Sequence, residues 1–374
     1  MGWVHTDVLL IEADGKALLA EQGVAVPEGV LVEEASIGDL PGEGPWIVKA
    51  QVPVGGRGKA GGVVRCDTPQ DVAAAVHRML GARIKGHHVE ACLIEQAAVG
   101  NEHYLSVMID AASYGLRVIY SAQGGVDIEQ SGSAQGRLCP PHPGGVAEAL
   151  AELGAPERIV GIGRMMADLL LQRELSLVEI NPLFVSEDAV VAGDAKVAVD
   201  LDALPRQPRI AALIEARPTI YADANRKLRE GFDYVELDPE GEIGLVTTGA
   251  GLSMMLIDEL AARGLKPLNF CDIRTGQMRG SPARLKRVLE WMTERPSLRA
   301  VLVNVFAGIT DLSEFGALLA AGIEQSPQLR VPVVARLVGR NAAEARRILA
   351  ERQPGVLVTE DLEEALRAVA PVRA

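Results

Sequence analysis

From residue 243 onward the sequence repeats one pattern, a short and continuously apolar run followed by an amphipathic stretch of helix length. The runs are "IGLVTT" (243–248), "LKPLNF" (265–270), "AVLVNVF" (300–306), "VPVVARL" (331–337) and "GVLV" (355–358). The helical stretches lie near 252–263, 282–294, 312–324, 342–352 and 360–370. A strand that is apolar at every position needs cover on both faces, and amphipathic helices between successive strands supply it. The spacing therefore predicts an open, doubly wound parallel α/β sheet.

The first half mixes apparent strands and helices without that rhythm, as an α+β domain does. A chain of 374 residues also exceeds what one hydrophobic core serves, so separate domains are expected. Residues 201 to about 240 carry Pro205, Pro208 and Pro218 and then the polar run "YADANRKLREGFDYVELDPEGE". We read that stretch as the connection, with domains at 1–235 and 236–374. With 50 acidic against 37 basic residues the net charge is −13, which argues against a nucleic acid or an anionic membrane as partner. Cys66, Cys92, Cys139 and Cys271 stand far apart with no C-x-x-C pair, so neither zinc nor a disulfide framework is expected, and free thiols fit a reducing cytosol. No run of about 18 apolar residues offers a membrane span, and no basic-then-apolar leader opens the sequence.

"WIVKAQVPVGGRGKAGGVVRC" (46–66) packs five glycines and two basic residues into positions 55–62. Gly56-Arg57-Gly58-Lys59-Ala60-Gly61 spells G-x-G-x-x-G, but the β-branched "GVVRC" that follows predicts a strand rather than the helix a dinucleotide site requires. A P-loop fails too, since Ala60 stands where Ser or Thr belongs. The remaining readings are a flap between two strands, whose backbone N–H groups and cations close over phosphates, and a plain glycine-rich surface hairpin. Lys49, Arg57 and Lys59 favour the flap.

In "LVEINPLFVSEDAVVAGDAKVAVD" (177–200) two β-like runs flank Glu187-Asp188. A hairpin turning there pairs residues whose numbers sum to 375, so Asn181 faces Asp194 and Glu179 faces Lys196, all four on one side. Asn and Asp oxygens suit Mg²⁺, which takes hard ligands and is completed by water and substrate phosphates; an exposed cross-strand polar patch is the alternative. Glu95 ends the apolar run "CLIE", where a carboxylate can accept from an adenine amino group or ribose hydroxyls, and Glu102 follows close by. Gly249-Ala250-Gly251 stand between a strand and a helix, allowing an anion to approach the helix N-terminus. A dinucleotide reading of that segment is weakened by Met254 at the third glycine position.

Together these segments resemble one family, the β subunits of ADP-forming acid–CoA ligases, of which succinyl-CoA synthetase is the type member. The motifs are "KAQVPVGGRGKAGGV", "QGGVDIE", "VEINPL", "GDAKVAVD", "TGAGLSMMLID", "VLVNVFAGI" and "VPVVARLVGRN", in family order along nearly the whole chain. The resemblance implies an N-terminal ATP-grasp domain followed by a flavodoxin-like, doubly wound CoA-ligase domain. It matches Lys49, Gly56, Arg57 and Gly58 to phosphate-binding positions, Glu95 and Glu102 to nucleotide positions, and Asn181 and Asp194 to Mg²⁺ ligands. Glu179 matches a carboxylate that steadies a swinging phosphohistidine, and Gly249 to Gly251 match the helix start that receives it at a second site. ATP or GTP and CoA are the implied co-substrates. The histidine and most of the CoA site are implied to lie on a separate α subunit, and none of His5, His77, His87, His88, His103 and His142 sits in a motif of that kind.

The departures fall mainly around the expected acid site. Thr248 replaces an asparagine, D-V-G-G-G-A-T has become Asp272-Ile273-Arg274-Thr275-Gly276-Gln277-Met278, and N-I-F-G-G-I has become Asn304-Val305-Phe306-Ala307-Gly308-Ile309, followed by Thr310. The nucleotide half departs less, with Gln123 for glutamate and Pro53 for histidine. Thr248, Arg274, Thr275, Gly308, Ile309 and Thr310 are thus expected at a pocket for a small polar carboxylic acid other than succinate, with Arg274 offering a guanidinium to an extra anionic or hydroxylated group. Succinate with a drifted pocket, or a nucleotide-binding regulatory subunit without turnover, are the alternatives.

Overall fold

The structure, a computed structural model, describes residues 7–125, 134–278 and 280–370. His5 and the "VDIE" half of the "QGGVDIE" motif lie outside the described residues. The chain separates after Ala222 into two units, each with its own core.

The first unit opens with β1 (Asp7–Leu9), α1 (Glu12–Glu21), β2 (Gly29–Val32), β3 (Trp46–Ala50) and β4 (Val63–Cys66). There follow α2 (Pro69–Met79), the short pair β5 (Arg83–Ile84) and β6 (His87–His88), and β7 (Cys92–Gln96). Strands β2, β7, β3 and β4, in that order, make an antiparallel sheet. Its alternation places Trp46, Val48, Ala50, Cys92 and Ile94 in one core with Val72, Ala75, Val76 and Met79 of α2. The same period of two turns Lys49 and Glu95 to the other face. Helix α2 begins where Thr68 and Asp71 cap each other, Asp71 N donating to Thr68 Oγ1 at 3.2 Å and Thr68 N to Asp71 Oδ2 at 3.1 Å.

A larger antiparallel sheet is built from β8 (Asn101–Asp110), β9 (Gly115–Ser121), β10 (Gln135–Cys139), β11 (Leu175–Val185), β12 (Val190–Ala192) and β13 (Lys196–Asp200). Its order is β1-β13-β11-β8-β9-β10, with β12 pairing the far end of β11. Helices α3 (Pro143–Glu152) and α4 (Glu157–Gln172) join β10 to β11, and α4 packs on β11 and β8. After α5 (Pro208–Ala216) the chain returns to α1, where the Tyr221 hydroxyl donates to Asp14 Oδ2 at 2.7 Å and accepts from Ile11 N at 2.8 Å.

The second unit runs α6 (Ala222–Glu230), β14 (Asp233–Glu236), β15 (Ile243–Thr247), α7 (Ala250–Ala262), β16 (Asn269–Asp272) and α8 (Ala283–Thr293). It continues β17 (Ala300–Ala307), α9 (Leu312–Glu324), β18 (Val333–Gly339), α10 (Ala342–Arg352), β19 (Leu357–Thr359) and α11 (Leu362–Val369). The order is β14-β16-β15-β17-β18-β19, with parallel ladders except for β14, which is antiparallel to β16. Both faces are covered: Val246, Val301, Val303 and Val305 pack with Leu285, Leu289, Phe315 and Leu319, while Ile243, Leu245 and Leu302 pack with Leu256, Leu260 and Leu366. The doubly wound sheet expected from the apolar runs is therefore present. Two details differ from the sequence reading. β14 lies in the stretch read as a connection, and β16 starts at Asn269 because Leu265 to Leu268 form the approach to the strand. Strand order reverses between β15 and β17, the place in such sheets where a crevice opens beyond the strand ends.

Candidate active site

The glycine loop joins two antiparallel strands, as its sequence predicts, with Lys49 opposite Val63 in the β3–β4 register. Glycine is required at Gly56, where φ is +71° and an added Cβ would lie 2.7 Å from Lys85 Nζ. The loop folds Arg57 back under itself, so that Nη1 donates to Ala50 O at 2.9 Å.

Three cations and three carboxylates meet beneath this loop. Lys49 Nζ lies 2.6 Å from Glu12 Oε1 and 2.8 Å from Glu95 Oε2, and donates to Gly193 O at 2.6 Å. Arg57 Nη2 lies 2.7 Å from Glu12 Oε2 and 3.1 Å from Asp194 Oδ1. Lys16 Nζ contacts Glu95 Oε1 at 2.6 Å and Glu12 Oε1 at 2.9 Å. Burial alone would raise the pKa of Glu12, but Lys16, Lys49 and Arg57 together hold it well below the ordinary carboxylate range. Burial opposes the charge on Lys49 as well, yet Glu12 and Glu95 raise its pKa, and Glu12 and Asp194 do the same for Arg57. Asp194 goes the other way: burial and the negative charge of Glu12 raise it in spite of Arg57. It is a carboxylate short of positive charge, and its side chain remains about a third exposed at 35%.

A cavity of about 730 Å³, the size of a cofactor site, opens above the cluster. Lys49, Arg57, Glu95, Glu102, Asn181 and Asp194 are among its lining. Asn181 and Asp194 reach it through a break in the hairpin. The register that sums to 375 holds for Leu183 to Val185 against β12 and for Leu177 to Glu179 against β13. Between them the ladder is interrupted, because Pro182 has no N–H to give, and Gly193 N donates to Pro182 O at 2.8 Å. Asn181 and Asp194 therefore stand in the gap rather than as a ladder pair. Asn181 Oδ1 accepts from Gly125 N at 2.8 Å, and its Nδ2 donates to Gly125 O at 3.1 Å. The amide is thus oriented with a second oxygen lone pair left over. No group of three or more His, Cys, Asp or Glu side chains is placed for a metal among the described residues. One amide and one carboxylate oxygen still fit Mg²⁺, which takes few protein ligands and keeps water and phosphate in the rest of its shell.

Glu179 faces Lys196 as expected, with Lys196 Nζ 3.8 Å from Oε2, and the Tyr104 hydroxyl donates to the same oxygen at 3.0 Å. Glu102 is exposed near the start of β8 and lines the cavity beside Gly125. Sequence reasoning missed Glu12 and Lys16. Their signal was the i, i+4 spacing in "EADGK", which reads as an ordinary surface helix pair; in the structure both are buried. Of the described histidines none lines the cavity: His103 pairs with the Tyr120 hydroxyl at 3.1 Å, and His142 caps α3.

In the second unit Gly249 begins α7 with φ +85°, and Gly249, Ala250 and Gly251 are exposed. Gly249 N donates to Asp272 Oδ1 at 3.0 Å, joining the ends of β15 and β16. Arg274 takes φ +50° and donates its N–H to the same Oδ1 at 3.2 Å. Its guanidinium is not idle, since Nη2 donates to Asp233 Oδ2 on β14 at 2.8 Å. Thr275 and Thr310 hydroxyls are 3.1 Å apart, tying the β16 loop to the loop after β17. Gly308 and Ile309 are exposed on that second loop, Ile309 at 95%, and Thr248 is half-buried at the end of β15.

Two family models match the chain, an ATP-grasp domain over residues 9–135 and a CoA-ligase domain over 246–372. The β subunit of succinate–CoA ligase [ADP-forming] from Chloroflexus aurantiacus is 36% identical, covering 96% of this chain and 98% of that protein. The corresponding Rubrobacter xylanophilus subunit is 37% identical over 96% of this chain and 97% of its own length. Among solved structures, ATP citrate lyase from Methanothrix soehngenii in complex with citrate and coenzyme A superposes with a TM-score of 0.67 at 16% identity, over 94% of this chain and 95% of that one. At that identity the likeness is one of fold.

Proposed function

The chain belongs to the family of β subunits of ADP-forming succinate–CoA ligases, and from that premise we propose that it is the nucleotide-binding subunit of an acid–CoA ligase for a polar acid other than succinate. The reaction is ATP (or GTP) plus acid plus CoA giving ADP, phosphate and acyl-CoA. The phosphoryl group travels on a histidine of a partner α subunit, which also carries most of the CoA site. The pairing of Lys49 and Arg57 under a glycine loop, lining one cavity with Asn181 and Asp194, is the observation that carries this reading.

The nucleotide lies in the first unit. Lys49, Arg57 and the N–H groups of Gly56 to Gly58 hold its phosphates, and Glu95 and Glu102 take the base and ribose. Asn181 and Asp194 hold Mg²⁺, which when bound neutralises phosphate charge. Transfer of a phosphoryl group rests on positioning, and Glu179, fixed by Tyr104 and Lys196, orients the incoming histidine. In the second unit the helix start at Gly249 to Gly251, where the Gly249 N–H is held by Asp272, receives the phosphohistidine at the α7 N-terminus. Thr248, Arg274, Thr275, Gly308, Ile309 and Thr310 surround the acid, and Arg274 pairs with its extra hydroxylated, carboxylate or sulfonate group. Four free cysteines, three of them buried, and the acidic net charge agree with a cytoplasmic protein that engages neither membrane nor nucleic acid.

The test is ADP release by the chain co-purified with its α partner, in Mg·ATP and CoA, across succinate and hydroxylated, tricarboxylic and sulfonated acids. Turnover with one acid other than succinate supports the proposal. Best turnover with succinate overturns the substrate assignment, and silence across the panel with ATP still bound points to a regulatory subunit.

A further inference from the structure

Glu12 is the one carboxylate of the cluster that touches all three cations. Its Oε1 lies 2.9 Å from Lys16 Nζ and 2.6 Å from Lys49 Nζ, and its Oε2 lies 2.7 Å from Arg57 Nη2. The side chain has no exposure to solvent, whereas that of Asp194 is a third exposed. Glu12 sits at the first position of α1, and the helix is pinned at Asp14 by Tyr221 and by Arg217, whose Nε lies 3.2 Å from Asp14 Oδ2. The carboxylate is thus a fixed, solvent-excluded anion in the cavity wall, held against the two cations, Lys49 and Arg57, that line the same cavity.

We propose that Glu12 is a positioning residue for nucleotide binding: its fixed carboxylate holds Lys49 and Arg57 apart and aimed into the cavity. The inference rests on the nucleotide reading of the cavity and goes one step behind it. Without this anchor the two cations have other carboxylates to fall upon. Lys49 already lies 2.8 Å from Glu95, and Arg57 lies 3.1 Å from Asp194. With Glu12 gone these would be the carboxylate contacts left to the two cations, drawing each away from the phosphates and tightening its hold on a carboxylate that the nucleotide or its metal needs. A fixed anion also lets Lys49 and Arg57 stay buried and charged without a ligand, so no side chain has to be ordered when phosphate arrives. Lys16, one turn along α1, completes the arrangement by bridging Glu12 and Glu95.

The experiment measures ADP affinity of the full chain, with and without Mg²⁺, in wild-type, Glu12→Gln and Glu12→Asp proteins, at a temperature well below unfolding. Unfolding temperature without nucleotide is recorded beside it. A merely structural Glu12 lowers the unfolding temperature of the variants and leaves the affinity of the folded protein alone. The positioning role predicts a loss of at least about tenfold in ADP affinity for Glu12→Gln, with partial recovery in Glu12→Asp, which keeps the charge but withdraws it by one methylene. Affinity of folded Glu12→Gln within twofold of wild type, or no recovery in Glu12→Asp, overturns the inference. If Glu12→Gln does not fold, Glu12→Asp decides alone: affinity several-fold weaker supports the role, and unchanged affinity overturns it. A wild-type chain that binds no ADP in either condition overturns the nucleotide reading itself, a result distinct from the others.

Discussion

Arg57 Nη2 lies 3.1 Å from Asp194 Oδ1, so the cation of the glycine loop and a carboxylate from the turn between β12 and β13 hold each other across the cavity. In the proposed nucleotide site each has a different partner, phosphate for Arg57 and the metal for Asp194. The pair is therefore a contact that ligand binding must exchange, and the exchange links the two binding events. A cation that takes Asp194 frees Arg57 for phosphate, and phosphate that takes Arg57 frees Asp194 for the metal. Nucleotide and metal then favour one another reciprocally.

Asp194→Asn should uncouple them. The amide still accepts a hydrogen bond from Arg57 but no longer supplies charge to Mg²⁺. ADP affinity should lose its dependence on Mg²⁺, while stability without ligands changes by less than about 1 kcal/mol, because a partly exposed and poorly compensated carboxylate contributes little. Calorimetric titration of ADP with and without Mg²⁺ reads the first quantity and denaturant unfolding the second. Retained Mg²⁺ dependence would move the metal to other ligands.

Glu12 gives a pH dependence with a definite sign. Its folded pKa is depressed below the ordinary 4.5, since the three cations outweigh the burial that would raise it. A depressed carboxylate contributes stability that is present above the unfolded value and is lost as pH falls toward the folded one. Wild-type stability should therefore decline as pH drops below about 4.5, and Glu12→Gln should show a shallower decline from a lower starting level. Removing one partner from a buried cluster costs roughly 3–5 kcal/mol at neutral pH. Equal slopes in acid unfolding would show that other carboxylates dominate.

What the sequence could reveal follows from what periodicity records. The second unit was legible because Ile243 to Thr247 and Ala300 to Val305 are buried at every position, and only a sheet covered on both sides asks for such runs. β14 was not legible, because an edge strand of four residues buries Tyr234 and leaves Asp233 and Glu236 for ion pairs with Arg274 and Arg295. The hairpin register of 177–200 could be counted from its turn, yet counting assumes an unbroken ladder, and Pro182 breaks it where Asn181 and Asp194 stand. Glu12 and Lys16 were invisible for another reason. Helical spacing says that the two side chains meet, but only the tertiary structure says that β3 and β7 bury them against Lys49 and Glu95.

Tyr104 offers a test of the proposed phosphoryl-transfer step separate from binding. Its hydroxyl donates to Glu179 Oε2 at 3.0 Å, and Lys196 approaches the same oxygen at 3.8 Å. A hydrogen bond to a charged group contributes about 1.5–3 kcal/mol, so Tyr104→Phe should slow phosphorylation of the partner histidine about tenfold or more. The KM for ATP should stay within about twofold, because Tyr104 is not assigned to the nucleotide. Single-turnover phosphorylation of the αβ complex separates the two. A raised KM with an unchanged rate would place Tyr104 in nucleotide binding instead.

Acid selection is tested at Arg274 and Thr248. Arg274→Ala removes the ion pair with Asp233, in which the arginine side chain is 36% exposed, so stability should fall by no more than about 1 kcal/mol. The loop backbone keeps its own supports, since Arg274 N donates to Asp272 and Arg284 Nη1 donates to Ile273 O at 2.9 Å. A change in acid preference can then be read without a collapse of the site. If Arg274 pairs with an extra anionic or hydroxylated group, kcat/KM for that acid relative to succinate should drop at least about tenfold, equivalent to about 1.4 kcal/mol. Thr248→Asn should shift the ratio in the same direction if, as the sequence resemblance implies, the succinate enzymes carry an asparagine here, and the double variant should shift it further. Asp233→Asn is the complementary change: it leaves the guanidinium in place, weakens its internal competitor, and should strengthen binding of the preferred acid. A ratio unmoved by any of the three would mean that Arg274 serves only to fasten β14 to the loop after β16, and that acid selection lies elsewhere.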